Sequence, residues 1–219
     1  MTEKPLILFQ DKRYTVCVKP SGVTSEDGAK PGMPTLLAEN GQRPSVVHRL
    51  DREVGGVMVF GRDASTSAYL SKQIVEKRFE KEYLAVVSGD PGKSGVLEDL
   101  LFHDRAKNKT YTVKRERKGV KHASLEFVKL SSVDTADGTL SLVRIRLHTG
   151  RTHQIRVQFG SRRHPVAGDG KYGSALNCPL ALFSRMIGFT DRDGRKLTFT
   201  ARPDNVYPWS LFEREIEEV

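Results

Sequence analysis

Apolar positions enter this chain as short blocks separated by polar, turn-rich stretches. Residues 6–9 and 14–18 are the first two blocks, each long enough for one strand, and Lys19-Pro20-Ser21-Gly22 closes the second with turn chemistry. Residues 24–34 are dense in Gly, Pro and charge and predict a long loop. Gly55-Gly56 is predicted to interrupt regular structure, with residues 57–60 following as a short buried strand. Asp63 is a natural N-cap for a helix over residues 64–77, whose Leu70 and Ile74 share one face. Residues 82–87, rich in Tyr, Leu and Val, return as a strand.

The second half changes period. Leu125 and Phe127, and then Val143, Ile145 and Leu147, recur every second position, as half-buried strands require. Strands are predicted over residues 110–114, 124–130 and 140–147, with further strands at 181–183 and 196–201. A short helix over 152–160 sets Ile155 and Phe159 four apart on its inner face, and a helix over 209–218 turns its acids outward. Many strands and few helices predict an α+β fold with a largely antiparallel sheet.

At 219 residues, 37% hydrophobic and 29% charged, the chain has ordinary globular composition and can bury a sizeable core. No apolar run approaches the roughly 20 residues of a membrane helix. Met1-Thr2-Glu3-Lys4-Pro5 does not read as a signal peptide, so a cytoplasmic protein is expected. Cys17 and Cys178 lie far apart and outside any Cys-x-x-Cys pair, which predicts two free thiols.

The formal net charge of +9 favours a polyanionic partner, and its distribution sharpens this. Residues 105–121 hold eight Lys or Arg and one acid, Glu116, around Tyr111, reading as a basic hairpin or loop. A second group comprises Arg151, Arg156, Arg162 and Arg163. Either run alone reads as a solvated loop; two flanking a candidate active site point to RNA.

Three constellations are candidates for chemistry. His48-Arg49-Leu50-Asp51 sits between an apolar pair and the glycine pair, where a charged side chain is presented at the edge of packed structure. Taken alone, Asp51 is more often a cap or ion-pair partner than a catalyst. Gly150-Arg151-Thr152-His153-Gln154-Ile155-Arg156 puts Arg151 at a strand–helix junction, suited to holding a phosphate or a carboxylate. Alone, it is a surface arginine at a turn. Tyr83, within Lys81-Glu82-Tyr83-Leu84-Ala85, is either cross-strand packing or part of a cleft wall. No His-Glu-x-x-His, P-loop, Gly-x-Gly-x-x-Gly or Gly-x-Ser-x-Gly pattern occurs, and no cofactor or metal is expected.

Together these pieces resemble the RluA family of pseudouridine synthases. His48-Arg49-Leu50-Asp51 is similar to the family's aspartate motif, Lys81 to Ala85 to its tyrosine motif, and Gly150 to Arg156 to its arginine motif. His164-Pro165-Val166-Ala167-Gly168-Asp169 and Lys171-Tyr172-Gly173 also fit, in the family's order and spacing. Two places depart. Val54-Gly55-Gly56 stands where the family usually has Thr-Ser-Gly, removing hydroxyls that shape the active-site loop, and Leu182-Phe183-Ser184 replaces a frequent Leu-His-Ala.

The resemblance implies a single catalytic domain over residues 1–219, with a mixed sheet core and flanking helices around a central RNA-binding cleft. About 45 residues precede the aspartate motif, too few for an additional RNA-binding domain. It further implies that uridine in RNA is isomerised without cofactor. Asp51 would attack or electrostatically stabilise C1′, Arg151 would pair with it, and Tyr83 would pack on the uracil. The base must flip out, with Arg49 filling the space or holding a phosphate. His153, Gln154, Arg156, Lys114 and Arg115 would contact the RNA. A monomer acting on ribosomal RNA, with transfer RNA second, is expected. The alternatives are a catalytically degenerate RNA-binding protein and a hydrolase using His48 and His153.

Overall fold

The computed structural model describes residues 5–38 and 42–219. Met1 to Lys4, on which most of the signal-peptide reading falls, lie outside the described residues. In chain order the elements are β1 (Leu6–Gln10), β2 (Tyr14–Lys19), α1 (Met33–Leu36), β3 (Ser45–Val46), β4 (Gly55–Gly61), α2 (Ala64–Val75), β5 (Glu80–Ser88), β6 (Ser94–Asp104), β7 (Lys109–Val113), β8 (Val120–Thr135), β9 (Gly138–Leu147), α3 (Gln154–Gly160), β10 (Leu182–Thr190), β11 (Lys196–Thr200) and α4 (Glu213–Glu217). Short 3-10 turns cover Gly170–Tyr172 and Trp209–Phe212. Strands dominate and most pairings are antiparallel, the α+β character that the alternation predicts. Among the described residues, no helix is long and apolar enough to cross a membrane.

The chain divides into two compact units. The first comprises Met1–Glu82 and Phe183–Pro203. Its strands run in the order β1-β2-β4-β10, with β3 on β4 and β11 on β10. β4 is buried along its whole length, which explains its unbroken apolar run: both faces are covered. Val57 and Val59 face Tyr14, Val16, Leu70, Phe79, Ile187 and Phe189 in the core of this unit. The Asp63 carboxylate accepts from Thr66 N–H at 2.7 Å, starting α2 where the cap was predicted.

The glycine pair corrects the sequence reading. Gly55 and Gly56 open β4 rather than interrupting it. Gly56 lies opposite Lys19 on β2 and Ser184 on β10, the latter pairing parallel. Its φ is +125, and a Cβ there would lie 2.3 Å from Ser184 O. Glycine is required because two backbones approach closely at this point.

The second unit comprises Tyr83–Leu182 and Asp204–Val219. Its strand order is β5-β9-β8-β6-β7. α3 packs Val157 against Leu101 and Ala123, and Phe159 against Phe127 with ring centroids 5.3 Å apart. β6 was not foreseen. An acid, Asp99, stands among its inward positions, between Leu97 and Leu101, and masks the alternation. Gln158 Nε2 and Arg162 Nη1 each donate to Asp99 at 2.8 Å, supplying the partners that allow it there.

Candidate active site

Asp51 begins a tight turn, in which Val54 N–H donates to Asp51 O at 3.1 Å. The turn is strapped on both sides to the segment that follows β2. Ser25 Oγ donates to Leu50 O and accepts from Leu50 N–H, both at 2.9 Å. Gly22 N–H donates to Arg52 O at 2.8 Å, Arg52 Nε returns a bond to Gly22 O at 2.9 Å, and Ser21 Oγ donates to Glu53 O at 2.7 Å. The Asp51 carboxylate is thereby carried on backbone held immediately before and after it. The hydroxyls absent at Val54-Gly55-Gly56 are not what fixes this turn: Ser21 and Ser25 act from the other segment, while Val54 is buried.

Lys19 completes the arrangement, and its side chain is fully buried. Its ammonium donates to Val23 O at 2.7 Å, Pro20 O at 2.9 Å and Arg52 O at 3.0 Å. Burial lowers its pKa from 10.5 to about 8, opposed by the nearby Glu53 and Asp51 carboxylates. The sequence reading took Lys19 only as the start of a turn. The available signal was a lysine at the last position of an apolar strand, directly before Pro-x-Gly, where a cation is out of place unless something inside accepts it.

His48 Nε2 accepts from Val59 N–H at 3.3 Å, so the ring proton resides on Nδ1, which has no hydrogen-bond partner among the described residues. Burial, helped by the Lys81 charge, holds the pKa well below 6.5. A ring kept neutral and packed 5.4 Å from Phe79 is a core element rather than a proton shuttle, which removes support from the hydrolase alternative. Lys81 lies with Nζ 5.3 Å over Phe79, and burial lowers its pKa to about 8. Its neighbour Glu82 accepts from Arg185 Nη1 at 2.7 Å. Arg49 is exposed and pairs with Glu26 at 3.2 Å.

Tyr83, Arg151, His153, Gln154, Arg156, Lys114 and Arg115 belong to the second unit. Tyr83 lies on β5 and is 6% exposed. Arg151 follows the end of β9, as predicted, and its position is set by Gln154. The Gln154 amide oxygen accepts from Arg151 N–H at 3.0 Å and Thr149 Oγ1 at 2.7 Å, while its nitrogen donates to Ser124 O at 3.0 Å. Arg151 Nε donates to His122 O at 3.0 Å. His153 takes a left-handed conformation, φ 54, immediately before α3. Its Nδ1 meets Tyr172 Oη at 2.9 Å, and that hydroxyl also accepts from Thr110 N–H at 2.8 Å.

Arg156 is turned fully inward. Its Nε and Nη2 donate to the Asp169 carboxylate at 2.6 and 2.8 Å, with side-chain exposures of 6% and 1%, and its guanidinium covers the Tyr172 ring at 5.3 Å. Arg156 thereby joins the arginine motif to the Asp169–Tyr172 segment. His153 and Gln154 are likewise buried. Lys114 and Arg115 remain exposed in the turn after β7.

A family model described as RNA pseudouridylate synthase matches residues 13–161, a span that contains Asp51, Tyr83 and Arg151. A protein of Aquifex aeolicus described as an uncharacterized RNA pseudouridine synthase is 32% identical over 194 residues, covering 82% of this chain and 60% of its own length. The ribosomal large subunit pseudouridine synthase D of Borreliella burgdorferi is 31% identical over 182 residues, covering 76% of this chain and 54% of its own. The chain thus spans a little over half the length of these relatives. The solved structure of human RNA Pseudouridylate Synthase Domain Containing 1 superposes with a TM-score of 0.79 at 19% identity, covering 94% of this chain and 85% of that one, which shows a shared fold.

Proposed function

This chain belongs to the RNA pseudouridylate synthase family, and from that premise we propose that it isomerises specific uridines in structured RNA to pseudouridine. Both units, residues 1–219, act as one catalytic domain in this reading, working as a monomer in the cytoplasm. Ribosomal RNA is the favoured substrate because relatives such as that of Borreliella burgdorferi carry a large-subunit ribosomal name. Transfer RNA is the second choice.

The reaction breaks the N1–C1′ bond, turns the base and rejoins it through C5, with no net loss of atoms. We assign Asp51 to C1′, as nucleophile or as electrostatic stabiliser of positive charge developing there. Arg151 orients that carboxylate and keeps it ionised, and Tyr83 packs on the uracil. RNA contact falls to Arg49, Lys114 and Arg115. The exposed Arg49–Glu26 pair is weak enough to open for a phosphate, since such pairs contribute only about 0–1 kcal/mol. His153, Gln154 and Arg156 shape the turn that presents Arg151.

The observation that carries the reading is the Asp51 turn, braced on both flanks by Ser21, Gly22, Ser25 and Lys19 within a chain of this family. A carboxylate that must meet a single carbon needs backbone that does not reorganise at the moment of reaction. The test is Asp51→Asn, which preserves shape and removes charge. Pseudouridine formation is expected to vanish while RNA binding survives; an unchanged yield overturns the assignment. The catalytically degenerate alternative predicts that the unaltered protein binds RNA without changing its pseudouridine content.

A further inference from the structure

Strands β6, β7 and β8 carry two chemically different faces. One holds Leu97, Leu101 and Ala123, buried on the side where α3 packs. The other follows from the register. Phe102 is opposite Tyr111 on one neighbour and Val120 on the other, and Leu100 is opposite Val113 and His122. On this face Leu100, Phe102, Val113 and Val120 are half-buried, while Tyr111 and His122 are exposed. Three of the large hydrophobic residues that remain exposed on the described chain lie on it: Val96 at 61%, Val128 at 42% and Tyr111 at 37%.

Its two ends differ in charge. Towards Val96 it bears Glu98 and Glu126, and Glu126 is 3.8 Å from Arg146 and 3.6 Å from His148. Towards Phe102 and Tyr111 the setting is cationic, with Asp104, opposite Lys109, and Glu116, in the turn after β7, as the acids there. Arg117 places its guanidinium 4.7 Å over the Phe102 ring, and Lys109 Nζ is 5.8 Å from the Tyr111 centroid. Arg105, Lys107, Lys114, Arg115 and Lys118 are exposed in the two turns that bound β7. Adjacent aromatic rings on a part-exposed sheet face, rimmed by cations, combine a surface for base stacking with charges for the phosphates between bases.

We propose that this end of the face, formed by Leu100, Phe102, Lys109, Tyr111, Val113 and Arg117, binds an unpaired stretch of RNA by stacking a base on Tyr111, beside the Phe102 ring that Arg117 covers. The inference rests on the reading of the chain as an RNA-modifying enzyme and adds to it a substrate class: RNA with a single-stranded segment beside the target uridine. Single strands are indicated over duplex because a duplex offers this face only phosphates and leaves the Tyr111 ring unused. The platform is coupled to the arginine motif within the same unit, since the His122 carbonyl on β8 accepts from Arg151 Nε at 3.0 Å.

A cross-strand Phe–Tyr pair also stabilises a sheet, so the test must separate packing from stacking. Tyr111→Leu keeps apolar cross-strand contact and removes the aromatic face; Tyr111→Trp keeps both. Affinity is measured for an unstructured RNA of about 10 nucleotides and for a duplex of the same sequence. Tyr111→Leu is expected to weaken single-strand binding roughly tenfold and leave duplex binding unchanged, with Tyr111→Trp close to the unaltered protein. Equal losses on both RNAs, or no loss on the single strand, overturn the proposal, as does failure of the unaltered protein to bind single strands, which leaves the face to a protein partner. Pseudouridine formation by the unaltered protein is scored in parallel. Activity together with a silent Tyr111→Leu rejects the platform alone, whereas Tyr111-dependent binding without activity rejects the isomerase reading and retains the platform.

Discussion

Lys19 and His48 show how much of the Asp51 setting depends on single buried groups. The Lys19 ammonium joins three carbonyls, of Pro20, Val23 and Arg52, that would otherwise face one another. Lys19→Met fills similar space and takes the ammonium away from Pro20 O and Val23 O, while Arg52 O keeps the Gly22 N–H. Stability is expected to fall by about 3 kcal/mol in a denaturant titration, and pseudouridine formation to fall with it. His48 carries a pH signature. Its folded pKa lies well below the ordinary 6.5, so as pH falls through 6.5 the unfolded chain takes up a proton that the folded chain refuses. Its contribution therefore erodes stability below pH 6.5, by up to about 1.4 kcal/mol per pH unit until the folded pKa is reached. His48→Gln is expected to flatten the stability profile over that acidic range. An unchanged profile would show that the ring titrates normally.

At the scale of elements, the demanding positions are those where two segments meet. Gly56→Ala would drive a Cβ to 2.3 Å from Ser184 O at a φ of +125, and a loss of at least about 2 kcal/mol is expected on thermal unfolding. Asp63→Ala removes the cap of α2 and is expected to cost only about 1 kcal/mol, a useful contrast. Asp169→Asn removes the carboxylate charge to which the buried Arg156 guanidinium is bonded, and about 3 kcal/mol should be lost. Elements with clean periodicity, β2, β9 and α2, were legible from sequence. β6 was not, because its inward Asp99 reads as solvent-facing until Gln158 and Arg162 arrive from about 60 residues away. β10 runs to Thr190, beyond the predicted residues 181–183, for a related reason: Arg185 interrupts the apolar pattern and is matched by Glu82.

For the whole molecule, the net charge of +9 becomes informative through its placement. The exposed Lys114 and Arg115 are expected to neutralise about two phosphates. Lys114→Gln with Arg115→Gln should weaken RNA binding across sequences and reduce the slope of log affinity against log salt by about 1.5. Titrations at several salt concentrations check this, and an unaltered slope would remove both residues from the RNA interface. The two thiols stay outside this chemistry: Cys17 is buried, with its pKa pushed up to about 12, and is not expected to react with alkylating reagents in the native protein.

Local order alone determined the strand-rich α+β character and the cap at Asp63, because periodicity and capping are properties of neighbouring residues, and the motif resemblance singled out Asp51, Tyr83 and Arg151 as candidates. Tertiary structure decided what holds Asp51 and what Arg156 pairs with. The Asp51 turn is secured by Lys19, Ser21, Gly22 and Ser25, some 25 to 33 residues earlier. Arg156 is paired with the buried Asp169. A buried charge or a shared backbone contact has no local pattern, since its partner is supplied only when distant segments meet.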